Sequence, residues 1–286
     1  MSALAASHPT LLDLAKRLDP DGKIDVIAEI LTQENPILED LSFVEGNLPT
    51  GHRTTIRTGL PTPTWRKLYG GVQPTKSNTA QVTDSCGMLE AYAEVDKALA
   101  DLNGNTAAFR LSEDRAHIEG MAQELASTII YGNEGDQPEA FTGLAPRYNS
   151  LSAANADNIV SAGGTGSDNT SIWLVVWGDQ TLHGIYPKGS RAGLDMQDKG
   201  QVTIENVDGS GGRMEAYRTH YRHDCGLTVR DWRFAARVCN IDVSALTSDG
   251  TAADRAAAQK ALINFMVQAS ERIPSLSKGR AVWYVN

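Results

Sequence analysis

The sequence predicts an α+β protein that carries a long, extended β-loop. Three observations lead to that class. Gly46–Thr83 contains no Asp or Glu but holds Arg53, Arg57, Arg66, Lys67 and Lys76, and its few apolar residues alternate with Thr and Arg over His52–Thr58 in the period of a strand. Ser112–Tyr131 places Ile118, Met121, Leu125 and Ile129 on one helical stripe. Ile172–Val176 reads as a buried strand, and Ala258, Leu262, Phe265 and Ala269 define the apolar face of a last helix.

Taken in order, Leu11, Leu14, Ala15 and Leu18 predict a first helix stopped at Asp19-Pro20, and Ile24, Ile27 and Leu31 a second one ended by Asn35-Pro36. Residues 1–45 carry nine acids and three bases, and the segment that follows carries five bases and no acid. Val82–Asn103 returns from the loop, with a strand over Cys86–Val95 and a short helix over Val95–Leu102. Ser112 is an expected N-cap, Glu113 and Asp114 suit the positive end of the helix dipole, and Gly132 is placed to close the helix. Gly120 within it costs about 1 kcal/mol relative to Ala, which points to close packing there. Asn133–Asp168 reads as a long loop with a few short elements. Thr203–Val207 and Met214–Tyr221 bracket Asp208-Gly209-Ser210-Gly211-Gly212 as a hairpin. Gly226–Ile241 is a further strand or strand pair, Thr251 and Asp254 open the last helix before Pro274, and Ala281–Val285 is a terminal strand.

With 286 residues, 41% apolar and 21% charged, the chain is long enough for a substantial core. A net charge of −9 speaks against a general nucleic-acid binder. Cys86, Cys225 and Cys239 read as reduced thiols, the first residues show no signal-peptide pattern, and Ile172–Trp177 is too short an apolar run to cross a membrane. A soluble intracellular product is expected.

The acid-free segment sets the main functional expectation. Pro49, Pro61, Pro63 and Pro74 exclude an interior helix or central strand, leaving a two-armed ribbon that is marginal by itself. Fixing its backbone costs about 1–2 kcal/mol per residue, so another surface must supply contacts. The basic charge suggests an acidic surface, and a second copy of the same chain is the expected partner. Arg53, Arg57, Trp65, Arg66, Lys67 and Lys76 are the candidate inter-subunit contacts, Trp65 as an anchor because Trp and Arg are enriched at interfaces.

Chemistry is thin elsewhere. His220-Tyr221-Arg222-His223-Asp224-Cys225 is the densest set of possible ligands, but on a strand His220 and Asp224 face one way while His223 and Cys225 face the other. Gly163-Gly164-Thr165-Gly166 lacks the Lys of a phosphate loop and the third Gly of a dinucleotide site, and so reads as a turn. No nucleophile, base and orienter assemble, and no catalytic residue, cofactor or metal is assigned.

Asn35-Pro36-Ile37-Leu38-Glu39-Asp40 through Gly46-Asn47-Leu48-Pro49-Thr50-Gly51-His52-Arg53, with Gly59-Leu60-Pro61 and Trp65-Arg66, resembles the major capsid proteins of tailed bacteriophages. So do Gly226-Leu227-Thr228-Val229-Arg230-Asp231-Trp232-Arg233, Arg237-Val238, Asn240-Ile241-Asp242, Gly163–Gly166 and Tyr186-Pro187-Lys188-Gly189. The resemblance implies the Hong Kong 97-type capsid fold. Residues 1–45 would be the N-terminal arm, 46–83 the extended loop, 84–150 a peripheral domain with spine helix 112–131, and 151–286 mostly the axial domain. It further implies a non-enzymatic virion protein, made in the host cytoplasm, that self-assembles as hexamers and pentamers into an icosahedral shell. The shell would enclose double-stranded DNA without sequence-specific binding. Scaffolding and portal proteins, and a decoration protein, are the other partners expected, with no membrane.

Relatives continue past the segment resembling Gly279–Asn286 with strands that return to the peripheral domain, so a shortened or partial chain is expected. Two other readings stay open: an encapsulin-like compartment enclosing protein, and a cytosolic metal-dependent enzyme using His220, His223 and Cys225.

Overall fold

A computed structural model describes residues 35–102, 106–205, 211–247 and 251–285. The two helices expected over 11–18 and 23–32, and the hairpin turn at 206–210, lie outside the described residues. In chain order the structure has α1 (Pro36–Asp40), β1 (Phe43–Glu45), β2 (Gly51–Gly59), β3 (Asn78–Asp96), α2 (Lys97–Ala100), α3 (Thr106–Tyr131) and α4 (Leu144–Arg147). There follow β4 (Ile159–Ser161), β5 (Asn169–Trp177), β6 (Leu182–Tyr186), β7 (Asp195–Glu205), β8 (Arg213–Val229), β9 (Ala235–Asp242), α5 (Val243–Thr247), α6 (Ala252–Arg272) and β10 (Arg280–Tyr284). The chain divides into two compact units. Among the described residues one takes in 35–38, Met88–Ser127 and Arg191–Asp224, and the other Glu39–Gly87, Thr128–Ser190 and the chain from Cys225 on.

In the first unit β7 and β8 form an antiparallel ribbon from Asp195↔Arg222 to Glu205↔Arg213, with a register shift between Asp198 and Gly200. Gly200 sits there at φ +67°, a left-handed backbone that favours glycine. Two apolar clusters hold the unit: Val95, Ala100 and Phe109 with Leu99 and Tyr217, and Ala93, Met121 and Tyr221 with Leu89 and Ala91. Burial, and secondarily Asp114, push the Tyr221 phenol up to about 12. Cross-strand pairs complete the unit: Arg218 donates to Glu94 at 2.6 Å, His220 meets Glu90 at 3.1 Å and stacks on Tyr92 with centroids 4.5 Å apart.

α3 begins at Thr106, six residues before the expected N-cap, so Ser112, Glu113 and Asp114 lie inside the helix. The buried Phe109 explains the extra turns, because its packing on Val95 and Ala100 recruits Thr-Ala-Ala, which has no apolar period of its own. Met121, Leu125 and Ile129 are buried as the stripe requires, whereas Ile118 is 39% exposed. Gly120 faces open space, since a Cβ there would meet no heavy atom within 4 Å, and the expected close packing is absent among the described residues. Gly132 does follow the last helical residue, where a Cβ would meet the Phe141 carbonyl oxygen at 2.5 Å.

In the second unit the order β6-β5-β9-β4 forms a sheet, with β1 parallel to β6, β10 antiparallel to β5, and the Gly226–Val229 end of β8 antiparallel to β6. Ile172–Trp177 is buried throughout, which is why it reads as a continuous apolar run. The segment 226–241 is divided by a one-turn helix at Trp232–Phe234, so its halves pair with different neighbours. α6 carries the expected capping box, with Thr251 and Asp254 bonding each other's backbone N–H. Pro36 opens α1, and Pro at the first helical position has no N–H to leave unpaired; the helix that Asn35-Pro36 is expected to end lies outside the described residues. β10 is pinned at Tyr284, whose hydroxyl donates to Asp40 at 2.7 Å and accepts from the Trp177 indole at 2.6 Å.

Arg147, at the end of α4, is the central polar brace of this unit. It pairs with the nearly buried Asp84 at 2.7 Å and also donates to the carbonyls of Thr142, Gly143 and Leu227. Replacing it (Arg147→Met) leaves the Asp84 carboxylate buried without its countercharge and should lower stability by about 3–5 kcal/mol in chemical denaturation. Gly120→Ala, meeting no clash, should raise stability by up to about 1 kcal/mol in the same assay. Burial lowers the pKa of both His183 and His223 below the ordinary 6.5. A histidine with a lowered folded pKa contributes stability that is complete above the unfolded value and lost as pH falls through the folded one. Thermal midpoints should therefore decline as pH drops below about 6.5, and decline less steeply in His223→Gln.

Candidate inter-subunit loop

The two arms of the extended loop are β2 and the first half of β3, in register from Gly51↔Ser85 to Arg57↔Thr79. Strand formation follows from the Thr, Ile and Val content and the period-two alternation. The ladder ends at Gly59 in a register irregularity, just before Pro61 and Pro63. At the base the strands come very close: a Cβ on Gly51 would lie 2.0 Å from the Asp84 carbonyl oxygen, so only glycine fits. Asn47 locks the entry, donating to the Arg53 carbonyl at 2.8 Å and accepting from its N–H at 2.7 Å.

Beyond the ladder, residues 60–77 have no regular structure and none is buried. A turn closes at the tip where the Gly70 N–H donates to the Lys67 carbonyl at 3.0 Å, and Tyr69 within it has φ +60°. For a non-glycine residue that left-handed backbone costs roughly 1–2 kcal/mol. The tip displays its large side chains outright: Trp65 and Tyr69 are fully exposed, and Leu60 and Leu68 nearly so. Across the tip a long hydroxyl contact runs from Thr75 to the Thr62 carbonyl, at 3.5 Å.

The six residues expected at the contact divide between arms and tip. Arg53 and Arg57 are exposed on β2, and the Arg53 Nε donates to the Thr83 hydroxyl at 3.2 Å. Trp65, Arg66 and Lys67 stand together at the tip, and Lys76 lies on the return, all exposed. Among the described residues none of the five cations is in an ion pair. The loop carries +5 within a chain of −9, so the remaining residues sum to −14. Leu60, Leu68, Tyr69 and Val72 belong to the same display but were not singled out from the sequence; without periodicity, only their placement in a Pro- and Gly-rich segment marks them.

The His220–Cys225 cluster is arranged differently from a ligand set. His220 is engaged with Glu90 and Tyr92, His223 points to the other face and is buried, and no three His, Cys, Asp or Glu side chains gather to hold a metal among the described residues. No helix among the described residues is long and apolar enough to cross a membrane.

A family model described as major capsid protein GP7 matches residues 19–286. The capsid structure of bacteriophage Epsilon15 is similar at 43% identity and a TM-score of 0.76, covering 100% of this chain and 84% of that one. The capsid of the native GTA particle is 12% identical with a TM-score of 0.53, covering 84% of this chain and 98% of that one. The SrpI encapsulin of Synechococcus elongatus is 14% identical with a TM-score of 0.50, covering 80% and 94%. The last two likenesses are of fold alone. No curated protein sequence matches. The α+β architecture is the Hong Kong 97-type capsid fold, and the chain belongs to the major capsid protein GP7 family, structural proteins of the bacteriophage virion whose copies form the shell.

Proposed function

We propose that the acid-free loop is the arm by which one subunit of the shell holds the next. The observation that carries this reading is the combination at residues 60–77: exposed Trp65, Leu68 and Tyr69, and cations with no ion pair and no burial among the described residues. The aromatic and leucine side chains supply the apolar contact, and Arg53, Arg57, Arg66, Lys67 and Lys76 set register against an acidic surface of the neighbouring copy. Exposed ion pairs contribute only about 0–1 kcal/mol each, so affinity comes mainly from the tip.

In this reading heterologous contacts close into hexameric and pentameric rings that tile an icosahedral container around double-stranded DNA. Residues 84–150 would be the peripheral domain with α3 as its spine and 151–286 mostly the axial domain; the compact units suggest that 191–224 also belong with the spine and 128–150 with the axial part. Scaffolding and portal proteins, and a decoration protein outside, would act on a chain synthesised in the host cytoplasm. The charge of −9 suits an interior that encloses nucleic acid without gripping its sequence.

Replacing residues 61–76 with a short Asn-Gly turn keeps the β2–β3 ladder and removes the tip. The variant should fold with an unchanged circular-dichroism spectrum and yet sediment as free subunits or isolated rings. Shells of normal size in negative-stain images would refute the arm's role. Trp65→Ala combined with Tyr69→Ala should raise the concentration needed for assembly at least tenfold, whereas Lys67→Ala should chiefly weaken the salt dependence of assembly.

A further inference from the structure

The β2–β3 hairpin meets the body of its unit through polar side chains. His52 and Asp84 are cross-strand partners and share one face of the hairpin, with Thr54 two residues further on. His183 and Thr228 are cross-strand partners on β6 and β8. The two faces come together: the rings of His52 and His183 stand edge to face with centroids 6.0 Å apart. Arg147 spans the junction, bonded to Asp84 Oδ1 at 2.7 Å and to the Leu227 carbonyl at 3.2 Å.

The junction is deep. Thr54, Asp84, His183 and Thr228 are 7%, 3%, 2% and 0% exposed. Even so, His52 Nδ1, Thr54 Oγ1, Asp84 Oδ2, His183 Nδ1 and Thr228 Oγ1 are enclosed without a protein hydrogen-bond partner among the described residues. One such atom left dry is a serious loss for a folded domain, and five at one junction would cancel much of its net stability. Their chemistry is mixed. The hydroxyls both donate and accept, each imidazole nitrogen does one or the other, and the carboxylate oxygen accepts.

We propose that the root of the loop is a built hydration site, in which ordered waters bridge His52, Thr54 and Asp84 on the hairpin to His183 and Thr228 on the β6–β8 pair. Water suits these groups because each molecule takes two to four partners of either sense. A metal ion does not: the one carboxylate is already shared with the Arg147 guanidinium, and no three His, Cys, Asp or Glu side chains gather to hold one among the described residues. A water-bridged seat can change its angle by exchanging bridges, which an interlocked apolar seat cannot do without repacking. This last consequence, though not the site itself, rests on the reading of the loop as an inter-subunit arm.

Thr54→Val and Thr228→Val, which keep side-chain shape and remove the hydroxyl, separate a wet junction from a dry one. If waters bridge these groups, each substitution strands a water and lowers the thermal midpoint, and the double variant lowers it further. If the hydroxyls are unpaired, each substitution removes a penalty; an unchanged or raised midpoint overturns the proposal. Independently, a high-resolution map of the assembled particle should show density about 2.7–3.2 Å from most of the five atoms. A dry contact there, or the crowded short-distance oxygen shell of a cation, also overturns it. Neither result depends on whether the tip-replaced variant assembles, so the two readings fail separately.

Discussion

A two-stranded ribbon has too little of itself to bury. Its ladder pairs the backbone, but away from the base most of its side chains are open to solvent, and the ladder here stops at Gly59 and Asn78, leaving residues 60–77 with no regular structure at all. The chain nonetheless places Trp65, Leu68 and Tyr69 at that far end, with Tyr69 in a left-handed backbone. Large apolar side chains on a strained, unsupported turn lower the stability and solubility of an isolated molecule. They become favourable only when a second surface covers them, which is the condition a shell of identical subunits provides.

That condition explains why the base of the loop is built so differently from its tip. Gly51 admits no side chain, Asn47 clasps both backbone groups of Arg53, and Arg147 braces Asp84 against α4 and β8. Directional polar contacts at the root specify how the ribbon leaves its unit, which non-directional apolar burial does not. Hydrogen bonds specify geometry, whereas the tip needs only to be covered.

Sequence legibility followed burial and period. β5 was readable because Ile172–Trp177 is apolar and buried throughout, and α6 because Thr251 and Asp254 form a local capping pattern. The start of α3 was not readable, because its cause is a tertiary contact of Phe109 and not any local signal. β6 escaped notice because His183 and Gly184 interrupt its apolar run; Gly184 is there because a Cβ would lie 2.7 Å from the Phe43 ring. Only the second half of β7 is legible, from Val202 and Ile204, since its exposed first half, Asp195–Lys199, has no apolar alternation to betray it. The loop's outline and its cations were legible from charge and proline alone. The polar junction beneath it was not, because His52, Asp84, His183 and Thr228 are brought together by pairing across distant strands.

Charge and apolar contact divide the work of association in a way that suits a closed container. Ion pairs at the surface are weak and screened by salt, so on the proposed reading five cations on an acid-free arm would bias which surface of a −9 chain it approaches without fixing it there. On the proposed reading of the arm, the exposed Trp65 and Tyr69 would then fasten whichever approach lets them be covered. Weak steering permits a misplaced subunit to leave before its anchors engage, while many modest contacts, each repeated around a ring, make the finished shell hard to undo. An arm with strong buried ion pairs would commit at first contact and trap errors; an arm without charge would have no preferred approach.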